Sequence, residues 1–463
     1  MERLTPLADA FLVAEDVDPS ASLAIGSLAV FAGPAPEFSE VLATIAGRLP
    51  LIPRYRQKLR PVPLGLAAPA WVDDPTFDIH HHLRPVEVPP PGGRREVADL
   101  ISRLMATRMD RSRPLWEYSF WTGLSGGRWA LLSKVHHSVV DGVSGTDLYR
   151  LLLDPTPEPR PPVPDTWQPR SSGTTTQFTV GALRELATSP LHLAGALAHA
   201  ARRPRRLARA TTRTATGLLT LTGATWPAHG STLAGPLHGG RRYTWTTVRM
   251  EDVQAVRAAY DATVNDVALA AVTGGFRRLL LSRGEPTDAH TLRSLVPVST
   301  RSPGEEAELS NRVSLMLPFL PVDVPDPVER LATIRRRIQG LRGRYEPEAG
   351  EAITEAAEYG PFPSVSWGLR LGWRLPQHQI TTVTTNVPGP RAPLYALGRE
   401  ALELLPYVPI ADRVRIGVAM FSYRDALTFG LTGDLETTGD LERLATGIEG
   451  SLAELVETTR RVG

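Results

Sequence analysis

Val135-His136-His137-Ser138-Val139-Val140-Asp141-Gly142 is the stretch on which the reading of this 463-residue chain turns. Two adjacent histidines are followed by three spacers, an acid and a glycine. Upstream, Trp129 to Val135 is apolar and β-favouring, which predicts a strand running into the core. Downstream, Gly142 permits a tight turn, and Thr146-Asp147 predicts a cap for a helix through Leu148, Leu151 and Leu152. Successive strand side chains point to opposite faces, so a strand carried to its end lets only one histidine face a given site. His137 then shares its side with Leu131 and Val135. A neutral imidazole is suited to take a proton near neutral pH, which makes proton transfer the chemistry to test. Asp141 is too close along the turn to be taken as the imidazole's orienting partner. Pairing with an arginine from elsewhere would let it brace the turn. A plainer reading is two polar residues at a strand end followed by an Asp-Gly turn. Metal binding is disfavoured, since adjacent strand histidines diverge and no cysteine or His-x-His spacing completes a shell.

Composition sets the bounds. The length exceeds what one hydrophobic core fills and predicts two domains or two large lobes. Hydrophobic residues at 42% and charged residues at 22% describe ordinary globular material. A formal charge of +2 selects no class of partner. The absence of cysteine excludes a disulfide framework, a thiol nucleophile and a thiolate metal site, and fits a reducing cytosol. Met1 to Pro6 lacks the build of a signal peptide, and no apolar run approaches the ~20 residues of a spanning helix. The expectation is a cytoplasmic protein, at most peripheral to an inner membrane or lipid inclusion.

Working outward, Leu4 to Phe11 predicts a capped helix, Leu23 to Phe31 a strand and Phe38 to Arg48 a helix. Pro53 to Leu59 predicts an exposed edge, or one arginine turned inward. His80-His81-His82 reads as solvated strand, with only His80 and His82 on one face and no third metal ligand. Val97, Leu100, Ile101, Leu104 and Met105 recur at helical spacing, and a Gly-rich hairpin at Gly123 to Gly127 returns the chain to the histidine strand. Pro155 to Pro169 reads as an extended linker. Beyond it, Arg202-Arg203-Pro204-Arg205-Arg206, Arg209 and Arg213 mark either basic amphipathic helices on an anionic lipid surface or a hairpin with a solvated arginine face. Neither aromatic interleaving nor a binding module supports nucleic acid there. A second run of strands and helices begins at Arg241, with Thr263 or Asn265 placed to cap the helix through Phe276 and Leu281. The organisation expected is α/β, with an N-terminal lobe over 1–154, a Pro/Arg-rich linker over 155–240 and a C-terminal lobe over 241–463.

The histidine stretch matches the HHxxxDG motif of the CoA-dependent acyltransferase superfamily. Other landmarks stand in order around it: Leu4 to Phe11, Pro114-Leu115-Trp116-Glu117, Asn265-Asp266-Val267, Pro297 to Arg301, Asn311 to Pro318, Asn386-Val387-Pro388-Gly389-Pro390 and Phe421-Ser422-Tyr423. Together they resemble the bacterial wax ester synthase/acyl-CoA:diacylglycerol acyltransferase family over nearly the whole chain outside the linker. The resemblance implies two chloramphenicol-acetyltransferase-like lobes with mixed sheets and a tunnel between them. It implies acyl-CoA as donor substrate, diacylglycerol or a long-chain alcohol as acceptor, and no cofactor or metal.

His137 would be the general base, with His136 beside it, and Asn265 would donate to the oxyanion or shape the site, as would Gly142. Asp141 would hold the turn through Arg56 or Arg301, with Asp266 as further support. The chain departs from the family pattern at Leu23-Ala24-Ile25-Gly26, where many members carry Met-His-Val-Gly, and at Lys58, where arginine is frequent. Two other functions compete. One keeps the fold and base but takes a carrier-protein-bound donor or a natural-product or glycolipid acceptor. The other is a non-catalytic coat on lipid droplets.

Overall fold

A computed structural model of the chain describes residues 2–142, 153–171, 173, 174, 176–184, 231–299, 313–344 and 380–462. The expected helix through Leu148 to Leu152, the arginine cluster from Arg202 to Arg213, Arg301, and Asn311-Arg312 lie outside the described residues.

The first half begins with α1 (Pro6–Val17), where Thr5 accepts from the Ala8 N–H and Pro6 supplies a fixed φ at the first helical position. β1 (Ala24–Phe31) and α2 (Phe38–Ala46) follow. β2 (Gln57–Arg60) and β3 (Ala70–Asp73) form a small antiparallel pair. Next come β4 (Leu83–Glu87), the amphipathic α3 (Arg94–Ala106), β5 (Trp116–Thr122) and β6 (Trp129–His136). A short helix, α4, covers 176–184. The second half holds β7 (Arg241–Arg249), α5 (Met250–Ala259) and α6 (Val264–Ser282), then β8 (Leu292–Ser299), β9 (Val313–Met316) and β10 (Phe319–Leu320). α7 (Pro327–Arg344), β11 (Thr382–Val387), β12 (Tyr395–Ala396) and β13 (Arg399–Tyr407) come next. β14 (Ile416–Tyr423), β15 (Ala426–Asp434) and α8 (Leu441–Val462) close the chain.

Two mixed sheets organise these elements. One runs β12-β13-β1-β6-β5-β4, and the other β10-β8-β11-β14-β15-β7 with β9 beside β8. The fold is α/β with mixed sheets, as expected. A simple split at residue 241 does not describe it, however. β12 and β13 come from the C-terminal segment yet complete the first sheet, with Gly26 opposite Tyr407 and Leu28 opposite Leu405. The crossing brings the sheets close: a side chain at Gly430 of β15 would meet the Pro406 carbonyl oxygen at 1.8 Å. Tyr243 of β7 donates to that same oxygen at 2.8 Å.

Each sheet has its own apolar core. Trp116, Trp121 and Trp129 are fully buried in the first, with Phe31 stacked on Trp129 at 4.3 Å. In the second, α6 and α8 pack through Phe276, Leu279, Leu444 and Ile448. The proline-dense segment is extended, as its composition requires, and straps the first half. Asp154 pairs with Arg48 at 2.7 Å and Arg160 at 2.9 Å, and α4 seats Phe178 and Ala182 against Val62, Ala70 and Val72.

Candidate active site

β6 lies inside the first sheet, between β1 and β5, and delivers the histidines to its end. The strand stops at His136, and His137 opens a 3-10 turn over His137–Gly142. Strand alternation therefore does not set the direction of the second imidazole; the turn does. Its backbone is tied on both flanks: His136 N–H donates to the Leu115 carbonyl at 3.0 Å and His137 N–H to the Leu23 carbonyl at 3.1 Å. The His137 ring is half-buried and stacks face to face on Phe11 of α1, with centroids 4.1 Å apart and planes 12° off parallel. Burial, and then the neighbouring His136, push its pKa down to about 4, although its own main chain draws it partly back. It is thus neutral at pH 7, the form able to accept a proton.

His136 points the other way, into the protein, and is 1% exposed. Its Nδ1 accepts the Ser138 main-chain N–H at 3.1 Å and lies 2.7 Å from the Ser138 hydroxyl. Its Nε2 stands 3.4 Å from Glu15 Oε1 of α1. Glu15 is itself buried; it accepts from Leu23 N–H at 2.7 Å and from Arg111 at 2.9 Å. Burial pulls its carboxyl pKa upward, but His136, the Leu23 amide and Arg111 outweigh that and hold it near 2. Lys134, two residues back on the His136 side of β6, reaches the Leu104 and Thr107 carbonyls and so closes the C-terminal end of α3. Ala24, where many members of the resembling family carry histidine, pairs directly with His136 across β1 and β6.

Asn265 belongs to the other sheet's layer. Thr263 is the N-cap of α6, in a reciprocal capping box with Asp266. That leaves Asn265 outside the capping role. Instead its Oδ1 accepts from Asn386 Nδ2 at 3.1 Å, at the end of β11. The bond uses the Asn265 amide oxygen and leaves its amide nitrogen as a donor with no partner among the described residues. Two motifs separated by 121 positions are joined in this contact. No hydrogen bond links this amide pair to His137 among the described residues.

Other expectations are revised. Of the two alternatives for Pro53 to Leu59, an arginine turned inward is the one seen: Arg56 is buried and meets Asp165 of the strap at 2.8 and 2.5 Å, with Trp167 over the guanidinium at 4.9 Å. Among the described residues Asp165 is thus the carboxylate that Arg56 engages. The backbone of Asp141 and Gly142 belongs to the 3-10 turn, while the Asp141 side chain and Arg301 lie outside the described residues. The His80 region is not strand: Ile79–His81 is a 3-10 turn, and His82 is buried, bonded to the Trp116 carbonyl and stacked on Trp116 at 4.5 Å. His82 is a core histidine. Among the described residues no group of three His, Cys, Asp or Glu is placed to hold a metal. Sequence reading missed Phe11, Glu15 and Arg111 as parts of the site.

Residues 4–268 match the model of the wax ester synthase/diacylglycerol acyltransferase catalytic domain, and 309–456 that of the WS/DGAT C-terminal domain. A Mycobacterium tuberculosis protein named as a diacylglycerol O-acyltransferase, tgs1, is 41% identical over 100% of this chain and 97% of its own. The solved wax ester synthase/diacylglycerol acyltransferase of Marinobacter aquaeolei VT8 is 27% identical, with a TM-score of 0.66 over 99% of this chain and 100% of that one. The first condensation domain of the calcium-dependent antibiotic synthetase shares the fold, with a TM-score of 0.60 at 17% identity over 99% of this chain and 96% of that one.

Proposed function

Because the chain belongs to the wax ester synthase/diacylglycerol acyltransferase family, we propose that this acyltransferase moves a fatty acyl group from acyl-CoA to diacylglycerol, a long-chain alcohol, or both. The observation that carries the chemistry is a neutral, half-buried His137 held by its stack on Phe11 at the end of β6.

The unprotonated imidazole nitrogen takes the acceptor's hydroxyl proton as its oxygen attacks the thioester carbonyl. The tetrahedral oxyanion then collapses, the C–S bond breaks, and the CoA thiolate recovers the proton from the imidazolium. Atoms balance without a covalent acyl-enzyme. The Asn265 amide nitrogen, oriented by Asn386, is the candidate donor to the oxyanion, and the positive end of α6 favours the same charge. Asp141 and Gly142 shape the turn. A tunnel between the two halves would admit donor and acceptor from opposite sides and keep water from the thioester. The substrates imply work at a lipid surface from the cytoplasmic side, with the arginine cluster at Arg202 to Arg213 as the contact. No helix among the described residues is long and apolar enough to cross a membrane.

The test is release of free CoA from palmitoyl-CoA by purified protein, wild type beside His137→Ala. Diacylglycerol and hexadecanol are supplied separately and products identified by mass. His137-dependent release with an ester product is expected, and the two rates rank the acceptors. Release unaffected by His137→Ala defeats the assignment of the base. No release with either acceptor points to a carrier-bound donor, another acceptor, or a coat protein.

A further inference from the structure

Resting on that reading of His137, we infer that α1 is a two-point clamp for the catalytic turn, with Glu15 a positioning residue acting through His136. Phe11 and Glu15 are four residues apart, so they lie one turn apart on the same face of the helix. That face meets both histidines, although their side chains diverge. Phe11 sets the plane of the His137 ring by stacking. Glu15 engages the ring of His136 from behind.

The hydrogen-bond inventory of His136 gives the clamp its direction. A main-chain N–H can only donate, so the bond from Ser138 requires a lone pair on Nδ1. With its lone pair on Nδ1, the ring carries its hydrogen on Nε2, which faces the Glu15 carboxylate across 3.4 Å. Nε2 is buried and reaches no fully formed hydrogen bond, so Glu15 is its sole compensating charge among the described residues. A carboxylate here favours the Nε2–H form of His136 and thereby keeps Nδ1 open to Ser138, the residue that follows His137. Losing it frees the ring to flip or change tautomer, which releases Ser138 and lets the turn shift under His137.

The helix is fixed so that it can serve as a reference point. Arg111 joins Glu15 Oε2, Asp16 at 2.7 Å and the Leu12 carbonyl at 3.0 Å. Arg108 donates to the Glu15, Asp18 and Ala21 carbonyls. Both cations sit at the C-terminal end of α1, where its dipole favours positive charge.

The experiment is a double-mutant cycle on kcat using Glu15→Gln, His136→Ala and the pair, with His137→Ala and Phe11→Leu as separate arms. Glu15→Gln keeps the shape of the side chain but removes the charge. It should lower kcat about tenfold or more while KM for acyl-CoA and acceptor stays unchanged, since a displaced base costs rate rather than binding. In the His136→Ala background the same change should cost nothing further. Phe11→Leu should also lower kcat at constant KM, and it tests the clamp independently of the buried carboxylate. Equal kcat in Glu15→Gln and wild type overturns the inference, as does a full additional loss in the His136→Ala background. If His137→Ala retains wild-type activity, the reading of the base has failed instead.

Discussion

The histidine turn follows a strand of one sheet, and the asparagine pair joins the end of a strand of the other sheet to the first turn of α6, yet the two are built differently. His137 is backed by ionised groups, with buried Glu15 and half-exposed Arg111 behind its neighbour and an aromatic face against its ring. Asn265 is backed by one neutral amide. On the proposed mechanism, the contrast follows from what each would supply. A base has to hold a particular protonation state, which buried charge and desolvation control. A donor to an oxyanion needs orientation only, and an amide has no protonation state to lose. Charged wiring is therefore expected where the proton moves and neutral wiring where charge merely develops.

Removing the base should have the largest effect. His137→Ala is expected to lower kcat by about 10³-fold, within the span of general-base contributions, with the fold retained by circular dichroism. The pH profile sharpens the point. Only the neutral ring accepts a proton, so kcat/KM should hold from neutral pH down and fall as pH approaches about 4, below the ordinary histidine value of 6.5. An acid limb centred near 6.5 would contradict the burial of the ring. Stability should erode over a wider range. The unfolded chain protonates His137 near 6.5 while the folded chain resists until about 4, so stability declines as pH falls through that interval. Glu15 extends the decline, because its stabilising ionisation is complete above 4.5 and is lost toward 2. Chemical denaturation at a series of pH values follows both.

The amide side should respond more weakly. Asn265→Ala is expected to lower kcat about 10²-fold, the scale of one oxyanion donor, with little change in the pH profile. Asn386→Ala leaves the donor in place but unoriented, so a loss of roughly tenfold is expected. A pH shift from either variant would break the division between charged and neutral wiring. An Asn386→Ala loss as large as that of Asn265→Ala would make Asn386 a second donor.

Much of the frame was legible because it follows local rules. Thr5-Pro6 announces α1, the apolar run from Trp129 announces β6, and Val97 to Met105 shows α3 by period. β13 was hidden: Arg399, Glu400, Glu403 and Pro406 interrupt its alternation, and it is stabilised by pairing with β1, 370 or more positions earlier. His137 was marked as the candidate base by its motif. Glu15 was not, since Glu15-Asp16 on a short helix looks like a solvated acidic pair. What buries it is Arg111, 96 residues away, and the Leu23 amide, neither of which leaves a trace in the local sequence. Asn265 was legible as a landmark, but its exclusion from capping depended on Thr263 and Asp266 completing the box between themselves.

The smallest effect tests where the catalytic wiring stops. Arg56 has the right charge for the turn, yet its partner is the strap's Asp165, which is 45% exposed at the side chain. An ion pair so open to solvent contributes about 1 kcal/mol or less, and salt reduces it further. Asp165→Asn should therefore lower the thermal midpoint by no more than about 2 °C and leave kcat and KM unchanged. The Trp167 stack on the guanidinium would keep Arg56 in place without its carboxylate. A marked fall in kcat at constant stability would connect the strap to the histidine turn through Arg56. The charged wiring would then reach beyond α1 into the proline-dense segment, and the segment would cease to be only a strap on the first half.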